Sequence, residues 1–361
     1  LIFSSTVLSV IVIAGLVGGI INIQRIAADA AYAGALNEDR RLADQASKGE
    51  VQPQDMNSLL EQLQKAAQRN QSNDVYFRTL SQGFLSKTLR LANLTNGAEH
   101  LAEIQTLTGA ALDTAKKAVE ISNQDVRNVE NLASIYQAIA PFTGGADTFA
   151  VESYTKAIAL DPLNPALHVQ LARVHLDAAL PSIKKAESEQ DKAKKNEALT
   201  EGTKRLAESA AALENAIKIK EDLPIAYYYL ALIKSQQQEK TEAVALLDKA
   251  VQYNVALAQV GAQDQGLFNL AGSIYNLLGD KDKALQSLQL GLSIKFDDQQ
   301  SLWNYANLLA EKGDIDTAIK VLEKLLELTP GNQDILNKLE ELRGGSKADT
   351  EEKEPSAEEV P

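Results

Sequence analysis

The chain has 361 residues, with 36 lysines and arginines against 49 aspartates and glutamates and a formal net charge of −13. No basic face stands out, so the composition argues against a nucleic-acid partner. The chain contains no cysteine, which excludes disulfides, thiol catalysis and cysteine metal sites. Only 5% of the residues are aromatic, while alanine and leucine abound. We therefore expect an all-α fold whose helices pack through small residues.

The first predicted element is a transmembrane helix over residues 1–23. Residues 1–24 carry no charge and are mainly Ile, Val, Leu, Ala and Gly. At about 1.5 Å per residue this segment extends about 34 Å, which is enough to cross a bilayer. A buried core helix of this length usually shows a polar stripe. A cleaved signal peptide is the other alternative, because the alanines between Ala27 and Ala31 resemble a cleavage site.

The predicted span contains two pairs of small residues four positions apart, Ala14 with Gly18 and Gly15 with Gly19. Such pairs either let a second membrane helix approach closely or reflect the ordinary glycine content of membrane helices. The only methionine is Met56, so Leu1 is not an initiator residue. We therefore expect the chain to be processed or to be a piece of a longer protein.

Residues 24–73 are predicted to form a degenerate helical pair, and residues 74–343 an array of helix pairs with insertions. In the first part of this array the apolar residues keep a helical spacing while the connections lengthen. The paired positions are Phe77, Leu80 and Phe84 with Ala111, Ala115 and Ala118; Val129, Leu132, Ala133 and Tyr136 with Ala150, Tyr154, Ala157 and Pro162; and His168, Leu171, Ala172 and His175 with Leu213 and Ala216. The insertion at 181–205 is rich in Lys, Glu, Ala and Gln, so we predict that it extends both flanking helices into a hairpin.

A spacing of 34 residues marks the C-terminal helix pairs. It separates Gly279 from Gly313, Ala284 from Ala318, Leu288 from Leu322 and Phe268 from Leu302. A further unit begins at Pro224. Asn332 is predicted to cap a final helix that ends near Arg343 and covers the last apolar face. Residues 344–361 are acidic and are predicted to form a disordered tail.

These residues resemble the tetratricopeptide repeat family, whose unit is a helix pair of 34 residues. The resemblance implies an α-solenoid, a right-handed superhelix of antiparallel helix pairs, here preceded by one transmembrane helix. More narrowly, residues 74–81 (DVYFRTLS), 131–136 (NLASIY) and 154–165 (YTKAIALDPLNP) resemble the repeat-bearing C-terminal region of O-antigen ligase-type bacterial membrane proteins. In such proteins a bundle of membrane helices performs glycan transfer, so this resemblance implies a catalytic bundle upstream of residue 1.

The candidate binding residues lie on the first helix of each pair, at positions that usually face the concave groove of such an array. They are Glu130, Ser134, Val169, Arg173, Tyr228, Leu232, Asn269, Ser273, Asn276, Trp303 and Asn307. Asparagine side chains can donate to and accept from an extended peptide backbone, and Tyr228 and Trp303 offer flat apolar area. A peptide or a sugar fits this chemistry. Trp303 either contacts a ligand or packs on the neighbouring helix, and the asparagines either bind a ligand or face solvent.

Residues suited to catalysis or metal binding are few. The only histidines are His100, His168 and His175, and the last two are seven residues apart on one predicted helix, about 10 Å along its axis. That separation is too large for a shared metal without other ligands, so we expect packing roles for both. We predict no catalytic residue, no metal site and no cofactor.

Two functional hypotheses follow from the sequence. In the first, the chain is a membrane-tethered, non-catalytic scaffold that holds a protein or peptide in its groove, with a glycan as a further possible ligand. In the second, the chain is the C-terminal repeat region of a polytopic O-antigen ligase or polymerase. By analogy with signal-anchored and ligase-linked proteins, we expect an extracytoplasmic array.

Overall fold

The computed structural model describes residues 2–48, 51–94 and 97–351, and within them the side chains of 20–46, 51–94 and 98–344. These residues are helical throughout, with no β-strand among them, and the all-α prediction is confirmed. The helices are α1 Ile2–Lys48, α2 Asn57–Arg69, α3 Asp74–Ala92, α4 Leu101–Ile121, α5 Val126–Ile139, α6 Ala146–Leu160, α7 Pro165–Ser188, α8 Lys192–Ile219, α9 Pro224–Gln236, α10 Lys240–Ala256, α11 Gln265–Leu278, α12 Lys281–Ile294, α13 Gln299–Glu311, α14 Ile315–Leu328 and α15 Gln333–Glu351. Short 3₁₀ turns occupy Pro53–Met56, Gly97–His100 and Leu257–Val260.

The chain divides into two compact units, Leu1–Ser209 and Ala210–Pro361, and the division falls within α8. In the first unit the largest core combines α1 to α5. Ala28, Ala35 and Leu42 of α1 are buried there with Leu60 and Leu63 of α2. The predicted pair at 24–73 therefore consists of the C-terminal part of α1 and the helix α2, which pack against each other.

The predicted insertion at 181–205 is helical at both ends, because α7 continues to Ser188 and α8 begins at Lys192. Ala186 of α7 and Leu206 of α8 are buried. Arg205 of α8 forms ion pairs with Asp147 of α6 at 3.1 Å and with Glu201 of α8 at 2.7 Å. The predicted extension of both flanking helices is confirmed.

In the second unit, α9, α11 and α13 each pack against the helix that follows, which forms three successive helix pairs. Gly279 and Gly313 end α11 and α13 with φ of 88° and 87°, a left-handed conformation that glycine adopts without strain. Small residues lie where the helices cross: a Cβ on Gly272 would stand 3.0 Å from Leu288 Cγ. The 34-residue spacing thus marks repeated turns and repeated close crossings.

The structure differs from the predicted boundaries at the last helix. α15 extends to Glu351, beyond the predicted end at Arg343. Ile335, Leu339 and Leu342 of α15 are buried against Leu322 and Leu325 of α14, as a terminal helix that covers an apolar face requires. The side chains after residue 344 and all of 352–361 lie outside the described residues, so the predicted disordered tail stays a prediction.

The predicted membrane span at 1–23 falls largely on residues whose side chains the structure does not describe, including Ala14, Gly15, Gly18 and Gly19. Among the residues that the structure describes, no helix has the length and apolar character needed to cross a membrane. The span, the pairing of its small residues and the handedness of the repeat array therefore stay predictions.

Candidate functional site

The first unit contains a groove formed mainly by the first helices of successive pairs, α3, α5 and α7. Its cavity volume is about 690 Å³. We call it the first-helix groove. It is lined by Arg78, Gln82, Arg127, Glu130, Asn131, Ser134, Gln137, Ala138, Pro141, Tyr154, Gln170, Arg173 and Asp177. Three of the predicted binding residues, Glu130, Ser134 and Arg173, therefore share one cavity.

Two of the three arginines in the groove already have acidic partners. The Arg127 guanidinium lies 2.7 Å from Asp125, and this pair lowers the pKa of the Asp125 carboxyl and raises that of Arg127. Arg78 donates to Asn128 Oδ1 at 2.6 Å and lies 3.6 Å from Asp74 and 3.7 Å from Asp125. Both cations are therefore paired within the protein, and Arg78 also links the N-terminus of α3 to that of α5.

The third arginine and a nearby glutamate have no ion-pair partner among the described residues. Arg173 donates to Gln170 Oε1 at 3.0 Å and contacts no carboxylate within ion-pair distance. Glu130 is half-buried, and this burial raises the pKa of its carboxyl. Both face Tyr154, whose hydroxyl pKa is raised first by its own burial and then by the Glu130 charge, while Arg173 opposes the rise. The groove thus presents one cation, Arg173, and two carboxylates, Glu130 and Asp177, without an ion-pair partner among the described residues.

Amide side chains complete the wall of the groove. Asn131 donates to Ser81 Oγ at 2.8 Å, but its Oδ1 is buried without a hydrogen-bond donor. Gln137 accepts from the Tyr154 hydroxyl at 3.2 Å and donates to Asp177 at 3.1 Å, and Ser134 donates to the Asn131 carbonyl at 2.8 Å. The sequence prediction omitted Asn131, Gln137 and Asp177. Gln137 lies three residues after Ser134 on the same helix face. Continuing the groove-facing positions of α5 by one further step along the helix identifies it.

The remaining predicted residues lie in the second unit, and the structure does not place them in one cavity. Tyr228 is 6% exposed and belongs to the core, where burial raises the pKa of its hydroxyl to about 12. Asn269 points its Oδ1 at Gly291, where an added Cβ would stand 2.5 Å away, and its Nδ2 lies 3.4 Å from Asp298. Both side chains are therefore engaged in packing between elements. Ser273 and Asn276 are exposed on α11.

Trp303 and Asn307 lie on α13. Trp303 is half-buried and packs against the core of α13, α14 and α15, while its exposed edge borders a cavity of about 250 Å³ that also includes Thr329 and Ile335. Asn307 donates to the Trp303 carbonyl at 2.9 Å. Of the alternatives for Trp303, packing is observed, and its exposed edge leaves contact with a ligand open.

His175 is buried with 7% exposure, so its predicted packing role is confirmed. Its Nδ1 lies 3.1 Å from Glu208 Oε2 without the geometry of a hydrogen bond. His168 is half-buried, with its Nε2 3.5 Å from the Pro162 carbonyl. In the described ranges no group of three His, Asp or Glu side chains is arranged to hold a metal ion.

The comparisons with known proteins identify the repeats. The model of the tetratricopeptide repeat matches residues 266–298 and 299–332. The predicted repeat type is therefore confirmed for the two helix pairs α11–α12 and α13–α14. No curated protein matches the chain. The comparisons give no evidence for the resemblance to O-antigen ligase-type proteins.

Several solved structures are similar to this chain. A tetratricopeptide repeat protein from Parabacteroides merdae is 11% identical with a TM-score of 0.47, covering 87% of this chain and 99% of that one. YrrB, a TPR protein with an unusual peptide-binding site, is 18% identical with a TM-score of 0.39, covering 55% of this chain and 85% of that one. PilF of Pseudomonas aeruginosa is 18% identical with a TM-score of 0.40, covering 75% of this chain and 99% of that one.

Proposed function

We propose that this chain is a non-catalytic scaffold that binds an extended segment of another protein in the first-helix groove. The observation that carries the proposal is that some charged side chains of the groove lack ion-pair partners. Arg173 and Glu130 share a cavity of about 690 Å³, and neither has an ion-pair partner among the described residues. Repeats of the type matched at 266–332 belong to solenoids that use extended surfaces for binding.

The chemistry of the groove favours a peptide over a sugar. A peptide backbone offers a donor and an acceptor at every residue, which complements the Glu130 carboxylate on one side and the Arg173 guanidinium on the other. A sugar gains most from an open aromatic face. The only aromatic residue that lines the groove is Tyr154, which is 1% exposed.

The same charges favour an internal segment over a chain terminus. Capture of a C-terminal carboxylate requires several free cations, but Arg78 and Arg127 are occupied by Asp74 and Asp125. Arg173 alone remains, and the Glu130 carboxylate in the same cavity opposes a second negative charge. We therefore expect the ligand to contribute mainly backbone groups and a basic side chain that meets Glu130.

Peptide selection on the full chain tests this function. Random twelve-residue peptides displayed on phage are selected against the protein, and the affinities of the recovered peptides are measured by fluorescence anisotropy. Arg173→Ala and Glu130→Gln should each weaken binding about tenfold, equivalent to about 1.4 kcal/mol. Lys220→Ala, which removes an exposed cation outside the groove, serves as the control. If affinity falls only in Trp303→Ala, binding takes place at the C-terminal repeats and the groove assignment is wrong.

We further propose that residues 1–23 tether the chain to a membrane and that the repeats lie on the extracytoplasmic side. The support is the uncharged segment 1–24 and the exposure of Ile20, Ile21, Ile23 and Ile26, which are 45–68% accessible on α1. An arginine at the centre of a span costs about 3 kcal/mol by insertion scales. Val10→Arg with Ile13→Arg should therefore release the protein from carbonate-washed membranes.

Protease added outside intact cells should degrade the repeats of the original chain, and full protection would contradict the proposed side.

A further inference from the structure

The groove between α14 and α15 corresponds to the surface of α12 and α13 one repeat earlier. In that earlier repeat, α14 packs on the surface, on a core that includes Leu302 of α13, with Leu292 of α12 and Tyr305 of α13 against it. Adding the 34-residue spacing to these three positions gives Leu326, Leu336 and Leu339. These three positions are therefore apolar on α14 and α15 as well, whereas Glu340 stands at the position of the buried Ala306.

This repeated surface is only partly covered among the described residues: Leu339 is 3% exposed and belongs to the core, whereas Leu326 is half-buried and Leu336 is exposed. Leu302 is 4% exposed, whereas its equivalent Leu336 is 38% exposed. A cavity of about 760 Å³ lies over Leu326, Leu336 and Leu339. By this comparison α15 stands where the first helix of a further pair would stand, and among the described residues no second helix packs on this surface.

The charges at the edge of this groove define the occupant. Glu323, Glu327 and Glu340 line it, with Arg343 as the only cation, and Arg343 is paired with Glu323 at 2.5 Å. Glu327 and Glu340 have no ion pair within the described part of the chain. The preceding repeat has Ser293 and Ala306 at the positions equivalent to these two glutamates. The open surface is thus more acidic than the one that α14 covers.

The sequence that follows the groove has the same sign of charge. Residues 346–361 contain six acidic and two basic residues, and their only large apolar residue is Val360. Repulsion from Glu327 and Glu340 and the lack of an apolar stripe exclude this segment as the occupant. It also increases the negative field that a basic partner meets on approach.

We propose that the groove between α14 and α15 binds an amphipathic α-helix of a partner protein whose flanks carry lysine or arginine. The apolar stripe of that helix covers Leu326 and Leu336 in the way that Ala318, Leu322 and Leu325 of α14 pack in the preceding repeat. Its cations pair with Glu327 and Glu340. This surface is separate from the first-helix groove and involves different elements.

Two helical peptides test the proposal on the full chain in detergent. The first has the sequence of residues 314–328, because α14 occupies the equivalent surface. The second has the same sequence with Asp314, Asp316, Glu323 and Glu327 replaced by lysine, and both are stapled to be helical. We expect the lysine peptide to bind at least about tenfold more tightly, measured by fluorescence anisotropy. Equal affinities, or no binding of either peptide, would overturn the proposal.

Matched variants separate the groove from general attraction to an acidic protein. Leu336→Gln should weaken binding of the lysine peptide about tenfold, whereas Leu277→Gln, at a leucine that is 68% exposed on α11, should leave it unchanged. Glu327→Lys with Glu340→Lys should reverse the preference between the two peptides. Circular dichroism verifies that each variant folds. Binding that is insensitive to Leu336→Gln contradicts the site, and self-association that Leu336→Gln abolishes in sedimentation identifies a second copy as the occupant instead.

Discussion

His175 is a buried titratable side chain whose environment opposes its charge. Burial lowers the pKa of its imidazole, and this effect exceeds the opposing influence of Glu208 on α8. Three further groups act on it: Arg205 and Lys204 of α8 lower its pKa, and Asp147 of α6 raises it. The folded protein therefore holds this histidine neutral to a lower pH than the unfolded chain does.

The free energy of unfolding depends on pH because the unfolded and folded chains bind a proton at His175 at different pH values. As the pH falls below about 6.5, the unfolded chain binds a proton at His175 before the folded protein does, so the free energy of unfolding decreases until the pH reaches the folded pKa. His175→Gln should lack this decrease, and Glu208→Gln should enlarge it because it removes a group that raises the pKa. Urea titrations between pH 7.5 and 5.0 measure the difference. Parallel profiles for the original chain and His175→Gln would contradict the prediction.

At the scale of helices and turns, one buried amide fixes the connection between α10 and α11. Asn254 is fully buried, donates to the Asp264 carbonyl at 2.7 Å and accepts from the Asp264 backbone N–H at 2.9 Å. Asp264 in turn caps α11 by accepting from the Leu267 N–H at 3.3 Å. A single side chain therefore holds the turn at Leu257–Val260 and sets the start of the next repeat.

Removing that amide should destabilise the second unit. Asn254→Ala loses both hydrogen bonds and leaves two backbone groups of Asp264 without these partners, at a cost of about 1–3 kcal/mol. Chemical denaturation measures the loss. Asn276→Ala, at an exposed asparagine on α11, should change stability by less than about 0.5 kcal/mol. Equal effects of the two substitutions would show that the Asn254 contacts do not stabilise the turn.

Across the whole molecule, the features that the sequence predicts are those encoded by local spacing. Helix type, the repeat register, and the glycine turns at Gly279 and Gly313 depend on residues within one or two helices. Long-range side-chain contacts are different. Asn269 occupies a groove-facing position by spacing, but the missing Cβ of Gly291 lets it point between helices instead. Sequence spacing alone does not show which distant residue leaves that space.

The same limit applies to the first-helix groove. Glu130, Ser134 and Arg173 were predicted because their positions on each first helix repeat. Asn131, which bonds Ser81 fifty residues away, and Asp177, which accepts from Gln137 forty residues away, were not. Their roles arise from contacts between different pairs. The long connections in the first unit also interrupt the regular spacing, so the alignment of one pair with the next is visible only in the structure.

In the second unit, repeated helix pairs imply that a core substitution destabilises neighbouring helices more than distant ones. Leu339 of α15 is 3% exposed and packs with Leu322 and Leu325 of α14. Leu339→Ala should cost about 2–5 kcal/mol by leaving a cavity in this core. Because each repeat contacts only its neighbours, amide hydrogen exchange should accelerate most in α13, α14 and α15 and least in α9. Leu336→Ala, at an exposed position of the same helix, is the control, and a uniform acceleration from α9 to α15 would show instead that the unit unfolds as a single cooperative block.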